Sequence, residues 1–283
     1  SAGNHSSPFL TENTEYVVAG TRFAVPMDDA NGDVPIDSFK ENFKGVLSFI
    51  GIDQQTGGMD LSFQIEAPGI NFDLSHAGKK KSGDWFFFSC YNSEKANTLL
   101  EVNASQNDKD FIMAVNWKKA AELVKAGKGR KVTTEYAHNT WDESTHSATS
   151  TMKKEVVVLS VEDMKDAMFM IPCPKSPHGC DVDPTGEYII GSGKLAALIP
   201  VFSFDKMIKA IADKNFAGEY DGVQVIKYEA ALHGEVQKPG LGPLHTEFDG
   251  KGNAYTSMFV SSEVVKWNIK DLKVLDRQPT FYS

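Results

Sequence analysis

Of the side chains in this sequence that could do chemistry, imidazole has the widest reach, and two of the seven histidines stand in a repeated setting. His178 lies in Cys173-Pro174-Lys175-Ser176-Pro177-His178-Gly179-Cys180-Asp181, and His245 in Gly242-Pro243-Leu244-His245-Thr246-Glu247-Phe248-Asp249. Each follows a proline-containing turn, opens a strand-like run and precedes a tyrosine by ten residues, Tyr188 or Tyr255. A polar turn lies between histidine and tyrosine: Asp183-Pro184-Thr185-Gly186 in one copy, Asp249-Gly250-Lys251-Gly252-Asn253 in the other. A weaker third copy stands at the start, where His5 precedes Tyr16 across Thr11-Glu12-Asn13. Neutral imidazole is the commonest protein ligand for copper, zinc and iron, and copper suits it well. A lone histidine is more often packed or solvated. Recurrence in one structural slot instead makes His178 and His245, with His5 as a third, candidate ligands of one metal centre. His76 and His233 lack companions and are read as ordinary packed or solvated residues, and His138 and His146 as solvated members of a polar segment.

The elements that must position these histidines are short strands. Tyr16–Ala19, Val46–Ile50, Leu61–Ile65, Trp85–Ser89, Phe111–Val115, Val156–Leu159, Tyr188–Gly191, Ala254–Phe259 and Val264–Trp267 are strand-like runs between turn residues, which predicts an all-β fold. Two helices are expected as outer insertions. One runs from Trp117 through Ala120, Ala121 and Val124 to a stop at Gly127; the other places Phe204, Met207, Ile208 and Ile211 on one face. The polar stretch 137–151 is read as an exposed loop. With the helical insertion near 205–220 set aside, the histidine repeats recur at about 50 residues, the period of a four-stranded propeller blade. In a propeller, a residue at the same point of every blade falls on a ring around the axis, so repeated histidines converge.

Composition narrows the partners. The formal net charge of −9 argues against nucleic acid or an anionic membrane surface, because phosphate binding needs clustered Lys and Arg. The one basic run, Lys79-Lys80-Lys81, is read as a solvated turn. No apolar stretch approaches the roughly 20 residues of a membrane span. Cys90, Cys173 and Cys180 show no CxxC spacing; Cys173 and Cys180 could pair, but buried free thiols are the preferred reading. No GxSxG, P-loop, GxGxxG or HExxH motif supports hydrolase, nucleotide or zinc-protease chemistry. Gly191-Ser192-Gly193-Lys194 has the wrong spacing for a phosphate loop and is read as a bulge or turn. Tyr91 to Glu94, followed by Glu101, Asn107, Asp108 and Asp110, concentrates the oxygen ligands that calcium takes, although an acidic loop is more often only solvated surface.

The chain resembles nitrous oxide reductase, specifically the middle of its N-terminal seven-bladed β-propeller. The resemblance rests on Ser89-Cys90-Tyr91-Asn92-Ser93-Glu94-Lys95, on Ser176-Pro177-His178-Gly179-Cys180 with Ser192-Gly193-Lys194-Leu195, and on residues 240–257 running on to Val264-Val265-Lys266-Trp267-Asn268-Ile269. The resemblance implies a copper-sulfide cluster, CuZ, on the propeller axis, with His178 and His245 among its histidine ligands and His5 as another. It implies a structural calcium held by Tyr91, Glu94, the carbonyl of Val102, Asp108 and Ser176; Val102 and Ser176 stand where the family often has methionine and asparagine. The expected domain plan is a partial propeller over residues 1–283, about four to five blades, without the C-terminal cupredoxin domain that carries CuA.

The implied function is reduction of nitrous oxide to dinitrogen and water by the longer parent. Its electron donor would be a cytochrome c or cupredoxin, in a periplasmic homodimer. An incomplete ring supplies too few ligands and leaves blade edges unpaired, so the isolated chain is expected to be inactive. The alternative is a non-catalytic propeller used as a protein-binding scaffold.

Overall fold

The run Trp85-Phe86-Phe87-Phe88 is apolar at every position, which suits a short strand only when both of its faces are covered. In the computed structural model, which describes residues 9–22, 24–26, 43–91, 110–142, 144 and 147–281, both faces are covered. Phe86 and Phe88 pack with Phe49, Phe63 and Ile65 of the preceding sheet. Trp85 and Phe87 pack with Val182, Ile189 and Phe202 of the following one.

Among the described residues the strands form four successive sheets, each built on four antiparallel strands. The first contains β1 (Phe9–Leu10), β2 (Tyr16–Gly20), β4 (Phe43–Ile52) and β5 (Met59–Ala67), with β3 (Val25–Pro26) beside β4. The second contains β6 (Asn71–Ala77), β7 (Trp85–Tyr91), β8 (Phe111–Asn116) and β11 (Met168–Pro172). The third contains β12 (Pro177–Val182), β13 (Tyr188–Gly193), β14 (Leu198–Ser203) and β17 (Leu232–Gln237). The fourth contains β18 (Pro243–Phe248), β19 (Asn253–Met258), β20 (Glu263–Asn268) and β21 (Val274–Pro279). The leading strands are neighbours in space: β1 packs on β6, β6 on β12, and β12 on β18. These are propeller blades set side by side with their first strands innermost, and they number four, the lower end of the expected range.

The two larger insertions occupy the same topological slot. After β8, helix α1 (Trp117–Lys125) leads to β9 (Arg130–Asp142) and β10 (Ser147–Leu159), and β10 pairs in parallel with β5 of the preceding blade. After β14, helix α2 (Phe204–Ala212) leads to β15 (Phe216–Tyr220) and β16 (Val223–Ile226), and β16 pairs in parallel with β11 of the preceding blade. A short helix, α3 (Tyr228–Ala231), then returns the chain to β17. Each insertion therefore straps its blade to the one before.

Both expected helices form. Asn116 and Ser203 cap them by accepting the amides of Lys119 and Lys206. Ile208 is a correction: Phe204 and Met207 are buried, but Ile208 is exposed because it lies one position beyond the apolar stripe. The expected exposed loop over 137–151 is a second correction, since residues 137–142 and 147–151 lie in the paired strands of the β9–β10 hairpin. Its Thr140, Trp141 and Thr149 favour strands, and a hairpin ladder pairs backbone whatever the polarity of the side chains. The basic run is a turn with Lys80 and Lys81 exposed, as expected, and it also makes contacts across blades. Lys79 donates to the carbonyl of Val182 (3.0 Å) and Lys81 pairs with Glu187 and Asp205, so the turn bridges the second and third blades. No helix among the described residues is long and apolar enough to cross a membrane.

Because Phe87 is fully buried between two blades, Phe87→Ala should leave a cavity there and destabilise the fold by about 3–5 kcal/mol. A urea-unfolding midpoint unchanged from wild type would contradict this packing.

Candidate metal centre

Regular antiparallel pairing makes side chains alternate between faces, and an extra residue in one strand re-aims the side chain at that point. Each of the three inner strands β6, β12 and β18 has such a bulge near its start. In β12, Pro177 pairs with Gly193 and Gly179 with Ser192, so His178 is the extra residue. In β18 the register jumps between Pro243 and Thr246, across Leu244 and His245. In β6 it jumps between Phe72 and Ser75, across Asp73 and Leu74. The bulges bring Asp73, His178 and His245, from three blades, to one level.

There the two histidine rings meet edge to face, with centroids 4.9 Å apart. Nδ1 of His178 lies 2.7 Å from the buried carboxylate of Asp73. Lys194 Nζ lies 3.4 Å from the same oxygen. Burial alone would raise the Asp73 pKa, but the His178 hydrogen bond and the charges of His178, Lys194 and Arg22 hold it below the usual value. Ser89 Oγ donates to the His178 carbonyl (2.6 Å) and accepts the Leu74 amide (2.9 Å), tying the two bulges together. Nδ1 of His245 lies 3.6 Å from Asp181 Oδ1, and the amide of Thr246 donates to Asp181 Oδ2 (2.6 Å). The His245 pKa is raised by its interaction with Asp181 against the effect of burial. The His245 side chain is 50% exposed and that of His178 only 21%.

The predicted hairpins are present: β12–β13 and β18–β19 each turn on an aspartate that caps its own loop. Asp183 accepts the amides of Thr185 and Tyr188, and Asp249 those of Lys251 and Asn253. His5 lies outside the described residues, ahead of β1, the inner strand of the first blade. His76 and His233 do not join the pair. His76 Nδ1 is 2.8 Å from the Ala77 carbonyl, with its pKa lowered by burial, and the His233 ring packs on Tyr188. His138 is on β9, opposite Ser150, and His146 is outside the described residues. All three cysteines are buried free thiols, as expected.

Of the expected calcium ligands, Glu94, Val102 and Asp108 lie outside the described residues. Tyr91 ends β7, paired with Asn71. Ser176 is buried with a left-handed backbone (φ 51°), and its amide donates to Asp110 Oδ2 (2.8 Å). Gly191-Ser192-Gly193-Lys194 forms the end of β13 and the tight turn after it, closed by the Ala196 amide on the Gly193 carbonyl.

Sequence reasoning missed Asp73, Asp181 and Lys194 as members of this constellation. Asp181 and Lys194 stood inside quoted motifs, but the blade holding Asp73 carries no histidine in its slot and so gave no repeat. Among the described residues no three His, Cys, Asp or Glu side chains gather as a complete metal site. The donor set nonetheless fits copper. Two imidazoles, each with Nδ1 turned to a carboxylate, leave their Nε2 atoms as ligands, the arrangement typical of metal-binding histidine.

Fold and side chains together define a partial β-propeller with paired histidines on its inner strands. By sequence the chain is similar to the nitrous-oxide reductases. It is 34% identical over 261 residues to that of Pseudomonas fluorescens (91% of this chain, 35% of that protein) and 33% identical to that of Stutzerimonas stutzeri (92% and 35%). It thus spans about a third of the length of these curated relatives. No family model matches the chain. Among solved structures, a hydrazine synthase of Kuenenia stuttgartiensis superposes with a TM-score of 0.52 at 12% identity, over 92% of this chain and 57% of that one. A protein of unknown function from Desulfotomaculum acetoxidans gives 0.50 at 11% identity, over 98% and 56%. At these identities the structural likeness concerns the fold alone.

A Cβ on Gly179 would collide with the Leu244 carbonyl of β18, so glycine is what allows the two histidine strands to approach. Gly179→Ala should cost about 1–3 kcal/mol and break the contact between Asp181 and the Thr246 amide. An unaltered Thr246 amide resonance in the variant would refute this.

Proposed function

We propose that the chain is part of the N-terminal propeller of a nitrous-oxide reductase, and that His178 and His245 are ligands of its copper-sulfide cluster, CuZ, with His5 as a third. The observation that carries this reading is the pair of inner-strand histidines, set at one level by equivalent bulges and backed at Nδ1 by carboxylates. A protein-binding scaffold has no use for such a pair.

When bound, the cluster would supply the electrons for converting nitrous oxide, with two electrons and two protons, to dinitrogen and water. The chain's own residues hold and orient. Asp73 fixes the plane of the His178 ring, Ser89 fixes the backbone carrying it, and Lys194 sets a cation beside the same carboxylate. A calcium held by Tyr91, Glu94, the Val102 carbonyl, Asp108 and Ser176 would fix the turn that leads into His178. The parent enzyme would be a periplasmic homodimer, would take electrons from a cytochrome c or cupredoxin through CuA in a C-terminal cupredoxin domain, and would act on nitrous oxide. The four blades alone supply too few ligands for a stable cluster.

Two measurements test the reading. In the longer reductase, His178→Ala should lose cluster copper together with nitrous-oxide reduction, and unchanged copper content would overturn the ligand assignment. The 283-residue chain by itself should show no turnover with a reduced donor; turnover would overturn the claim that the described arc is insufficient.

A further inference from the structure

Asp181 belongs to the third blade, yet both of its oxygens face the fourth. Oδ2 accepts the Thr246 amide at 2.6 Å, and Oδ1 stands 3.6 Å from Nδ1 of His245. The residue is 9% exposed, so its acceptor capacity must be met largely by protein donors. If Nδ1 carried a lone pair, it would face the carboxylate lone pair against lone pair. With a proton on Nδ1 the same contact is attractive. At 3.6 Å it is longer than a formed hydrogen bond, as is common in sites that tighten only when filled. The strand beneath is rigid. Thr246 Oγ1 is 2.8 Å from Thr256 Oγ1, which also accepts the indole N–H of the fully buried Trp267 (2.9 Å). The backbone at His245 is therefore set by the core of the fourth blade, and what remains free is the ring and its proton.

We propose that Asp181 is a positioning residue that holds His245 in its Nδ1–H tautomer and thereby keeps Nε2 unprotonated and able to bind a metal. This repeats, one blade on, what Asp73 does for His178, where Nδ1 and carboxylate are already at 2.7 Å. An unconstrained imidazole favours the opposite tautomer, so the carboxylate has a definite effect to exert. The proposal rests on the copper reading only for its consequence in metal affinity, since the tautomer can be measured without metal.

The test is a long-range proton–nitrogen correlation spectrum of the 283-residue chain at about pH 9, where an ordinary imidazole is neutral. The His245 signals are assigned by their loss in His245→Gln. The wild type should show a protonated Nδ1 and a lone-pair Nε2. In Asp181→Asn the carboxamide oxygen can still accept the Thr246 amide while its NH2 turns to the ring, so the proton should move to Nε2. Copper(I), titrated against a competing chelator, should then bind about 10–100-fold more weakly than to the wild type. A wild-type ring protonated on Nε2 would overturn the proposal even if the variant failed to fold, and so would an unchanged tautomer in the variant. A tautomer switch with unchanged copper affinity would leave the positioning role standing and count against the copper reading instead.

Discussion

The structure depends on one constraint, the single extra residue in each of three neighbouring inner strands. Without it, pairing in β12 would continue in register and the side chain of His178 would follow strand alternation. A bulge sacrifices ladder hydrogen bonds, and the surrounding residues replace them. Ser89 bridges two bulged strands, Asp181 takes the Thr246 amide, and the Lys194 amide closes on the Ser176 carbonyl just before His178. Each replacement crosses between strands or blades, so the bulges also join the blades where their inner strands meet. The features that disturb the sheets and those that hold the sheets together are the same.

At the rim the blades are joined differently. The β9–β10 and β15–β16 hairpins each leave one blade and pair with the sheet before it, and Lys81 spans to Glu187 and Asp205 across the second interface. The exposed ion pairs add little by themselves. The apolar contacts carry the energy. Phe49, Phe63 and Phe86 fill the first interface, Phe87, Ile189 and Phe202 the second, and Ile190, Val201 and Trp267 the third. Packed between at all three interfaces, and strapped at the rim across the first two, adjacent blades have little freedom to slide, and the level of their inner bulges is set.

Much of this was legible in the sequence. Strand runs, the two capped helices and the His-to-Tyr hairpins could be read because each is local, a matter of period and turn chemistry within about ten residues. The second blade was not legible as a repeat, because Asp73 stands where the third and fourth blades have histidine, and a search for repeated imidazole passes over it. The β9–β10 hairpin was misread because its residues are polar, and polarity reports burial rather than backbone pairing. The carboxylate partners were beyond reach for a different reason. Asp73 is 105 residues from His178, and Asp181 is 65 from Thr246, separations that only the packing of blades closes.

Why the partners come from the preceding blade follows from propeller geometry. A blade's sheet runs outward from the axis, so inner-strand side chains project towards the neighbouring blades, and a histidine finds its carboxylate across an interface more readily than in its own strand. Ligand orientation is thereby a property of blade packing, so a change that shifts one blade against the next moves a carboxylate relative to the ring it orients. The two histidines differ in how far this has gone. His178 is largely enclosed, with Asp73 at hydrogen-bond distance and Lys194 beside it, and needs no rearrangement to present Nε2. His245 is half exposed with its carboxylate at 3.6 Å, so its final orientation must be gained as a ligand binds or as further protein covers it. Preorganisation in this site therefore falls off along the arc from the third blade to the fourth, in step with how completely each histidine is enclosed.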